Sequence, residues 1–503
     1  MPPPEGGGAA RGAGAGPGPA AVAETHSGIV FFAGDRAYKL KKHVDLGFLD
    51  YRRREARRLA CHREVELNRR LAPDVYLGVA DLLGPDGQPC DHLVVMRRLP
   101  ASRRLATLAA AGEPLGPDIR RVARVLASFH ARAATSDRIG AAASRDALRS
   151  RWEANAAEMA RFAGTLLDRV TAERVITLAR RYLAGRGDLI AARIAGGCAR
   201  DGHGDLLATD IFLLDDGPRV LDCLEFDDAL RWDDVLADVA FLAMDLERLG
   251  RTDLTAEFLA AYREFSGDNW PDSLAHHHIA YRAQVRCKVA ALACEQAAEG
   301  SQRRTESARD ARQLLELADR HLAAGRVRLV VIGGLPGTGK STLAARVASA
   351  LGAVLVRSDE VRKQLAGLDP GASAAAPFGQ GLYRPEMTEA TYTEVLRQAR
   401  AALAGGQSVV ADASWHQPRW RDEVRSLAGA STADLSEFRC VLPAGVIMER
   451  IRGRSGGLSD ATADVVMRLA ASQQPWPTAV EVDTLPSPDE VTEQVLDVVR
   501  SAG

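Results

Sequence analysis

Residues 328–348 read Arg328-Leu329-Val330-Val331-Ile332-Gly333-Gly334-Leu335-Pro336-Gly337-Thr338-Gly339-Lys340-Ser341-Thr342-Leu343-Ala344-Ala345-Arg346-Val347-Ala348, and their order decides the fold of the second half of the chain. The apolar run Leu329–Ile332 reads as a buried strand, and the segment from Thr342 reads as a helix. Between them, glycines at 334, 337 and 339 free the backbone for tight or positive-φ conformations, so that successive N–H groups converge on an anion. The helix turns its positive end to the same point. In this frame Gly334, Leu335, Pro336, Gly337, Thr338, Gly339, Lys340, Ser341 and Thr342 form a cradle for a nucleoside triphosphate. Lys340 reaches the β- and γ-phosphates, and the Ser341 hydroxyl takes one position on Mg²⁺. ATP with Mg²⁺ is the expected cofactor pair.

Downstream, short apolar runs at 328–333, 353–358, 408–411, 437–442 and 479–482 alternate with helical segments. Such alternation predicts an α/β domain over 326–503 with a parallel sheet covered by helices on both faces. Ligands sit at the carboxyl ends of such strands. Asp359, in Arg357-Ser358-Asp359-Glu360-Val361-Arg362, is therefore a candidate base facing an acceptor, with Arg362 as a substrate-side anion clamp. A plain helix N-cap is the competing reading for Asp359. Val409-Val410-Ala411-Asp412 ends a strand on a carboxylate, as a Mg²⁺ or water ligand requires. Arg450, Arg452 and Arg454 flank Gly453 and Gly456-Gly457, which suits either a lid that closes over the γ-phosphate or a solvated helix end.

Upstream, Ile29-Val30-Phe31-Phe32, a turn at Gly34-Asp35 and Arg36–Lys41 predict a hairpin, followed by an arginine-rich helix over 51–71 and a strand at Leu93–Met96. From 118 to 325 the apolar spacing is mostly helical. A loop-and-hairpin region at 201–228 interrupts it and carries His203-Gly204-Asp205, Asp210 and Leu221-Asp222. Phosphoryl transfer needs one carboxylate near the acceptor hydroxyl and further oxygen ligands for Mg²⁺ on the phosphates, and this spacing can supply both. Lys39 on a strand and Glu64 on the next helix are placed to form an ion pair that positions the α- and β-phosphates, with Glu66 as the fallback partner.

On these residues, 24–325 resembles the aminoglycoside phosphotransferase and choline kinase-like family, which implies an α+β, two-lobed, protein-kinase-like domain. The resemblance implies that Asp205 orients or deprotonates the acceptor hydroxyl and that Asp222 binds Mg²⁺. The run Leu221–Phe226, with Arg231 and Asp238–Asp245, is similar to a branch of that family fused to a P-loop kinase. Two features depart from the pattern. Leu207 and Asp210 stand where the family has histidine and asparagine, and low-complexity sequence sits where a first strand and phosphate-covering loop belong. Asp210 still offers Mg²⁺ an oxygen, but a third carboxylate beside Asp205 and Asp222 should raise at least one pKa among them. Residues 328–485 resemble small P-loop kinases of the zeta-toxin-like, polynucleotide kinase-like and gluconate kinase-like kinds. In the polynucleotide kinase-like branch the residue matching Asp359 is the acceptor base.

Composition bounds the function. The chain has 503 residues and a formal net charge of -1, so no global field recruits nucleic acid or an anionic membrane. Its seven cysteines show no metal-type spacing and suit a reducing, cytoplasmic setting. Residues 1–23, nearly all Pro, Gly and Ala, read as a disordered tail, and no apolar segment is long enough to span a bilayer. His276-His277-His278 point in different directions on a helix and suit surface or packing roles. The resulting expectation is a phosphotransferase with two ATP–Mg²⁺ sites and a small-molecule hydroxyl acceptor. The alternative is a nucleotide-binding regulatory protein whose first domain is a pseudokinase. Oligomeric state is not encoded in these patterns.

Overall fold

The computed structural model describes residues 21–24, 28–45, 49–369, 382, 384–452, 463–471 and 474–501. Most of the expected tail, the 453–457 hinge and Arg454 lie outside the described residues. The chain divides into two compact units, Met1–Ile139 with Ala199–Asp268, and Gly140–Cys198 with Asn269–Gly503.

The first unit opens with an antiparallel sheet of β1 (Ala21–Glu24), β2 (Gly28–Ala33), β3 (Arg36–Lys41), β4 (Tyr76–Leu83) and β5 (Pro89–Arg97), in the order β1-β2-β3-β5-β4. β1 begins inside the stretch read as tail and supplies a first strand where low-complexity sequence suggested none. It pairs with β2 from Ala21 opposite Phe32 to Glu24 opposite Ile29. All its side chains are exposed, so backbone pairing rather than apolar patterning forms it. The 51–71 helix runs from Arg54 to Asn68, and it buries Cys61 and Val65 against Val75, just before β4, and against Val94 and Met96 of β5. Beyond the sheet lie β6 (Ala199–Asp201), the hairpin β7 (Ile211–Leu214) and β8 (Gly217–Val220), and β9 (Trp232–Asp234). Helix Val235–Arg248 follows and is buried along nearly its whole length.

The second unit contains a five-stranded, wholly parallel sheet of β10 (Arg328–Gly334), β11 (Val354–Arg357), β12 (Val409–Asp412), β13 (Asp434–Val441) and β14 (Val480–Asp483). Its order is β11-β12-β10-β13-β14. Leu329, Val330, Val331 and Ile332 are each 0% exposed, as expected of a central strand covered on both faces. β10 lies between strands reached by crossovers in opposite directions, and the chain leaves its carboxyl end at that switch point. Helices Arg145–Met159, Arg169–Gly185, Asp272–Gln296 and Gln302–Ala324 belong to the same compact unit. At the lower edge of the sheet Asp434 accepts from Arg181 (2.7 Å) and Arg326 (2.5 Å). Among the described residues no helix is long and apolar enough to cross a membrane.

Candidate functional sites

In the first unit, Lys39 on β3 donates to Glu64 Oε1 at 2.9 Å and to Asp222 Oδ1 at 2.6 Å. The expected Lys39–Glu64 pair is thus formed, and the fallback partner Glu66 is instead at the surface with Arg63. Glu64 is 0% exposed, and its second oxygen lies 2.5 Å from Lys41 Nζ, so two ammonium groups compensate one buried carboxylate. Lys41 also pairs with Glu225, to which Tyr51 OH donates at 2.8 Å. Burial opposes the charge on Lys39, but Asp222 and Glu64 hold its pKa well above the usual lysine value.

Asp222 sits at φ 63, a left-handed conformation rare for a non-glycine residue. Its N–H donates to Tyr76 OH (3.1 Å), and the next N–H, of Cys223, donates to Asn68 Oδ1 (2.9 Å). The turn that aims its carboxylate at Lys39 is therefore held from the small lobe's own helix and strand.

The loop bearing Asp205 is fixed by two carboxylates of helix Val235–Arg248. Asp238 accepts from the N–H of His203 (2.5 Å) and of Gly204 (2.9 Å), and Asp245 accepts from Ala208 N–H (2.9 Å). His203 is fully buried and donates Nε2–H to Leu221 O at 3.0 Å, which ties the Asp205 loop to the Asp222 strand end. Burial works against the Asp238 anion, but His130 and the His203 amide hold its pKa far below the carboxylate range. Neither Asp238 nor Asp245 was given a role from the sequence. The available signal was two carboxylates on a helix whose other residues up to Leu246 are apolar, and such carboxylates must be paired if buried.

Asp210 behaves as the charge count anticipated. Burial, then the Asp222 and Asp205 carboxylates, push its pKa well above the usual value, whereas Lys39 holds Asp222 below it in spite of burial. A carboxyl with a raised native pKa binds more protons folded than unfolded, so stability falls as pH rises through that pKa. In metal-free buffer at pH 8, Asp210→Asn should raise the melting temperature by about 2–4 °C. The gain should shrink as the pH is lowered, which a calorimetric pH series would record.

In the second unit, the phosphate loop has the conformation that its glycines permit. Gly334, Gly337 and Gly339 lie at φ 139, 89 and 83, and a Cβ at Gly334 would stand 2.7 Å from Cys440 O. Thr338 Oγ1 donates to Leu335 O (2.8 Å), and Thr484 Oγ1 donates to Thr338 O (2.5 Å). Helix Lys340–Leu351 starts directly after Gly339. Arg450 donates to Thr484 O at 3.3 Å and passes within 3.5 Å of a Cβ position on Gly339, so it flanks the loop.

Asp412 ends β12 with 4% exposure, and its Oδ1 has no hydrogen-bond partner among the described residues. Burial raises its pKa, offset in part by Lys340 and by a hydrogen bond from Ser341. A hydroxyl and an orphaned carboxylate oxygen at the head of a phosphate loop are hard donors that fit Mg²⁺. Among the described residues no three His, Cys, Asp or Glu side chains could hold a metal ion by themselves. That suits a cation which completes its shell with phosphate and water.

A cleft of about 810 Å³ adjoins the loop, and Lys340, Asp359, Arg362, Ser414, His416 and Arg419 are among its lining residues. Helix Ser358–Leu365 has Arg357 at its N-cap, so Asp359 lies in the first turn and is not the cap. Arg362 Nη1 donates to Leu382 O (2.9 Å) and Thr388 Oγ1 (3.3 Å). Ser414 and His416 were not singled out from the sequence, although they directly follow a strand's carboxyl end, the same position that marked Asp359.

A family model described as "AAA domain" matches residues 329–476. The chain is 15% identical to a choline/ethanolamine kinase family protein from Mesorhizobium loti, covering 61% of this chain and 92% of that one with a TM-score of 0.38. It is 17% identical to a gluconokinase from Sinorhizobium meliloti, covering 35% and 93% with a TM-score of 0.26. With "Uncharacterized protein Rv2004c" of Mycobacterium tuberculosis it shares 44% identity over 483 residues, 96% of this chain and 95% of the relative. The alignment runs through the kinase-like lobe, the helices and the P-loop kinase domain, and the chain belongs to the family of that mycobacterial protein.

Proposed function

We propose that the protein is a cytoplasmic ATP-dependent phosphotransferase with two ATP–Mg²⁺ sites, each serving a small-molecule hydroxyl acceptor. The observation that carries this reading is the buried, unpartnered Asp412 oxygen beside Ser341 and Lys340 at the head of the phosphate loop. Gly334–Thr342 would cradle the triphosphate, Ser341 and Asp412 would hold Mg²⁺, and Arg450 would add charge at the loop. When bound, Mg²⁺ neutralises charge developing on the phosphates. Asp359 would take the acceptor's proton, and Arg362 would shape the acceptor side of the cleft. In the first unit Lys39, braced by Glu64, would position the α- and β-phosphates, Asp210 and Asp222 would hold Mg²⁺, and Asp205 would face the acceptor hydroxyl. In both sites the protein contributes positioning and charge, with no covalent intermediate.

One observation favours a second reading for the first unit. Leu207 and Asp210 stand where the family that this unit resembles has histidine and asparagine, a departure on the metal side of the constellation that suits a regulatory pseudokinase. Incubating the full chain with γ-labelled ATP and a fractionated small-molecule extract separates the two. The two-site reading expects one labelled product lost in Lys340→Ala and another lost in Asp222→Ala. Calorimetric ATP binding by Lys340→Ala that Asp222→Ala removes, with no second product, would establish the pseudokinase. ATP hydrolysis without any labelled product would overturn the phosphotransferase reading.

A further inference from the structure

The segment after β12 makes a turn that the phosphate loop does not require. Trp415 is 1% exposed and sits at φ 50, a strained conformation for a bulky residue. Its N–H donates to Tyr392 OH (3.1 Å), and its indole Nε1–H donates to Ala411 O (3.3 Å). One residue earlier, Ser414 O accepts from Gly334 N–H at 3.3 Å, which locks the turn to the phosphate loop. The consequence is that His416 lines the cleft shared with Lys340 and Asp359.

Burial constrains the hydrogen bonding along this turn. Tyr392 is 1% exposed and already accepts from Trp415, so its own proton needs an acceptor, and Ser414 Oγ lies 3.1 Å away. Ser414 Oγ in turn lies 3.0 Å from His416 Nδ1. With Ser414 accepting from Tyr392, its own hydroxyl proton is free to be donated to Nδ1, the arrangement in which the imidazole carries its hydrogen on Nε2. Burial, then Arg421 and Arg362, lower the His416 pKa and keep the ring neutral.

The charges of the same lining are mostly committed. Arg419 pairs with Glu389 and lies over the Trp420 ring, Glu394 is bound by Arg397, and Arg362 donates to Leu382 O and Thr388. Lys340 belongs to the phosphates and Asp359 to the acceptor proton. The described lining sets four carboxylates, Asp359, Glu386, Glu389 and Glu394, against three cations, Lys340, Arg362 and Arg419, and so has no surplus of positive charge for an acceptor that bears its own phosphate or carboxylate, while Ser358, Thr388, Thr393, Ser414 and Gln417 offer neutral hydrogen bonds.

We infer that the P-loop site phosphorylates an uncharged polyhydroxylated acceptor, of the sugar or polyol class, and that His416 orients it by donating Nε2–H to one of its hydroxyl oxygens. This rests on the phosphotransferase reading above. The acceptor oxygen forms a bond to the γ-phosphorus, and the bond from that phosphorus to the β–γ bridging oxygen breaks. That oxygen leaves on ADP with the electron pair, and the acceptor's proton passes to Asp359.

The test uses the full chain, γ-labelled ATP and a fixed set of acceptors: glucose, ribitol, myo-inositol, gluconate and an RNA oligonucleotide with a 5′-hydroxyl. Only label transfer lost in Lys340→Ala is assigned to this site. The expected result is transfer to an uncharged acceptor. For that acceptor, His416→Ala should raise KM about tenfold with a smaller fall in kcat, and His416→Gln, whose amide also donates, should recover most of the loss. Nitrogen NMR of histidine-labelled protein should show the His416 proton on Nε2, with that preference lost in Tyr392→Phe. Transfer confined to gluconate or RNA, a His416→Ala effect on kcat alone, or a proton on Nδ1 would overturn the inference while leaving a phosphotransferase. Lys340-dependent ATP hydrolysis with no label on any acceptor would overturn both.

Discussion

Lys340→Ala should lower phosphoryl transfer at the P-loop site by about a hundredfold or more, because it removes a preorganised positive charge from the point where charge moves in the transition state. The side chain is 8% exposed at the start of helix Lys340–Leu351, so little solvent is at hand to take over its role. Loss of the ammonium also removes one of the groups that restrain the Asp412 pKa, which should rise further. Lys340→Arg keeps the charge but replaces a compact ammonium by a planar fork, and it should rescue only weakly. Initial rates with labelled ATP, beside melting curves to show that each variant is folded, measure this. Turnover per folded molecule equal to that of the unaltered protein would remove Lys340 from the site.

Asp359→Asn should reduce transfer to the acceptor by about 10²–10⁴-fold, the range for loss of a positioned general base. ATP affinity and acceptor-free hydrolysis should stay close to their original values, since Asp359 lies on the acceptor side of the cleft. The melting temperature should also hold, because Arg357 is the N-cap of helix Ser358–Leu365 and no cap bond from Asp359 is lost. Asp412→Asn is the contrasting variant: it should shift the Mg²⁺ concentration needed for activity. A drop of several degrees for Asp359→Asn with normal turnover would return the residue to a structural role.

Local chemistry made part of this molecule legible in the sequence. Glycines at 334, 337 and 339 are needed at positive φ wherever they occur in such a loop, so their spacing announces the loop without reference to the rest of the chain. The central strand β10 and the Val409–Ala411 stretch of β12 are unbroken apolar runs because both faces are covered, and all five strands lie within a few residues of their expected positions, although β13 and β14 carry polar residues. Lys39 and Glu64 could be paired because a strand and its following helix bring them into reach.

β4, with its irregular register between Tyr76 and Gly78, has too little alternation to be read as a strand, and β1 has no buried face to produce any. Helical spacing over 118–325 marks apolar faces but not what those faces bury against, so only the folded chain shows helices Arg169–Gly185 and Asp272–Gln296 in one unit with the parallel sheet. Asp238 serves His203 across 35 residues, and Tyr392 serves Ser414 across 22. The sequence by itself thus determined the phosphate loop and the strand-end carboxylates, since each depends on neighbours in the chain, whereas the Lys39–Asp222 contact closes across 183 residues. Tertiary structure alone decided which buried carboxylates brace the Asp205 loop, which hydroxyl His416 Nδ1 meets and which charges in the cleft are already paired. Those outcomes depend on hydrogen bonds and burial between residues far apart in sequence, and no local pattern encodes such contacts.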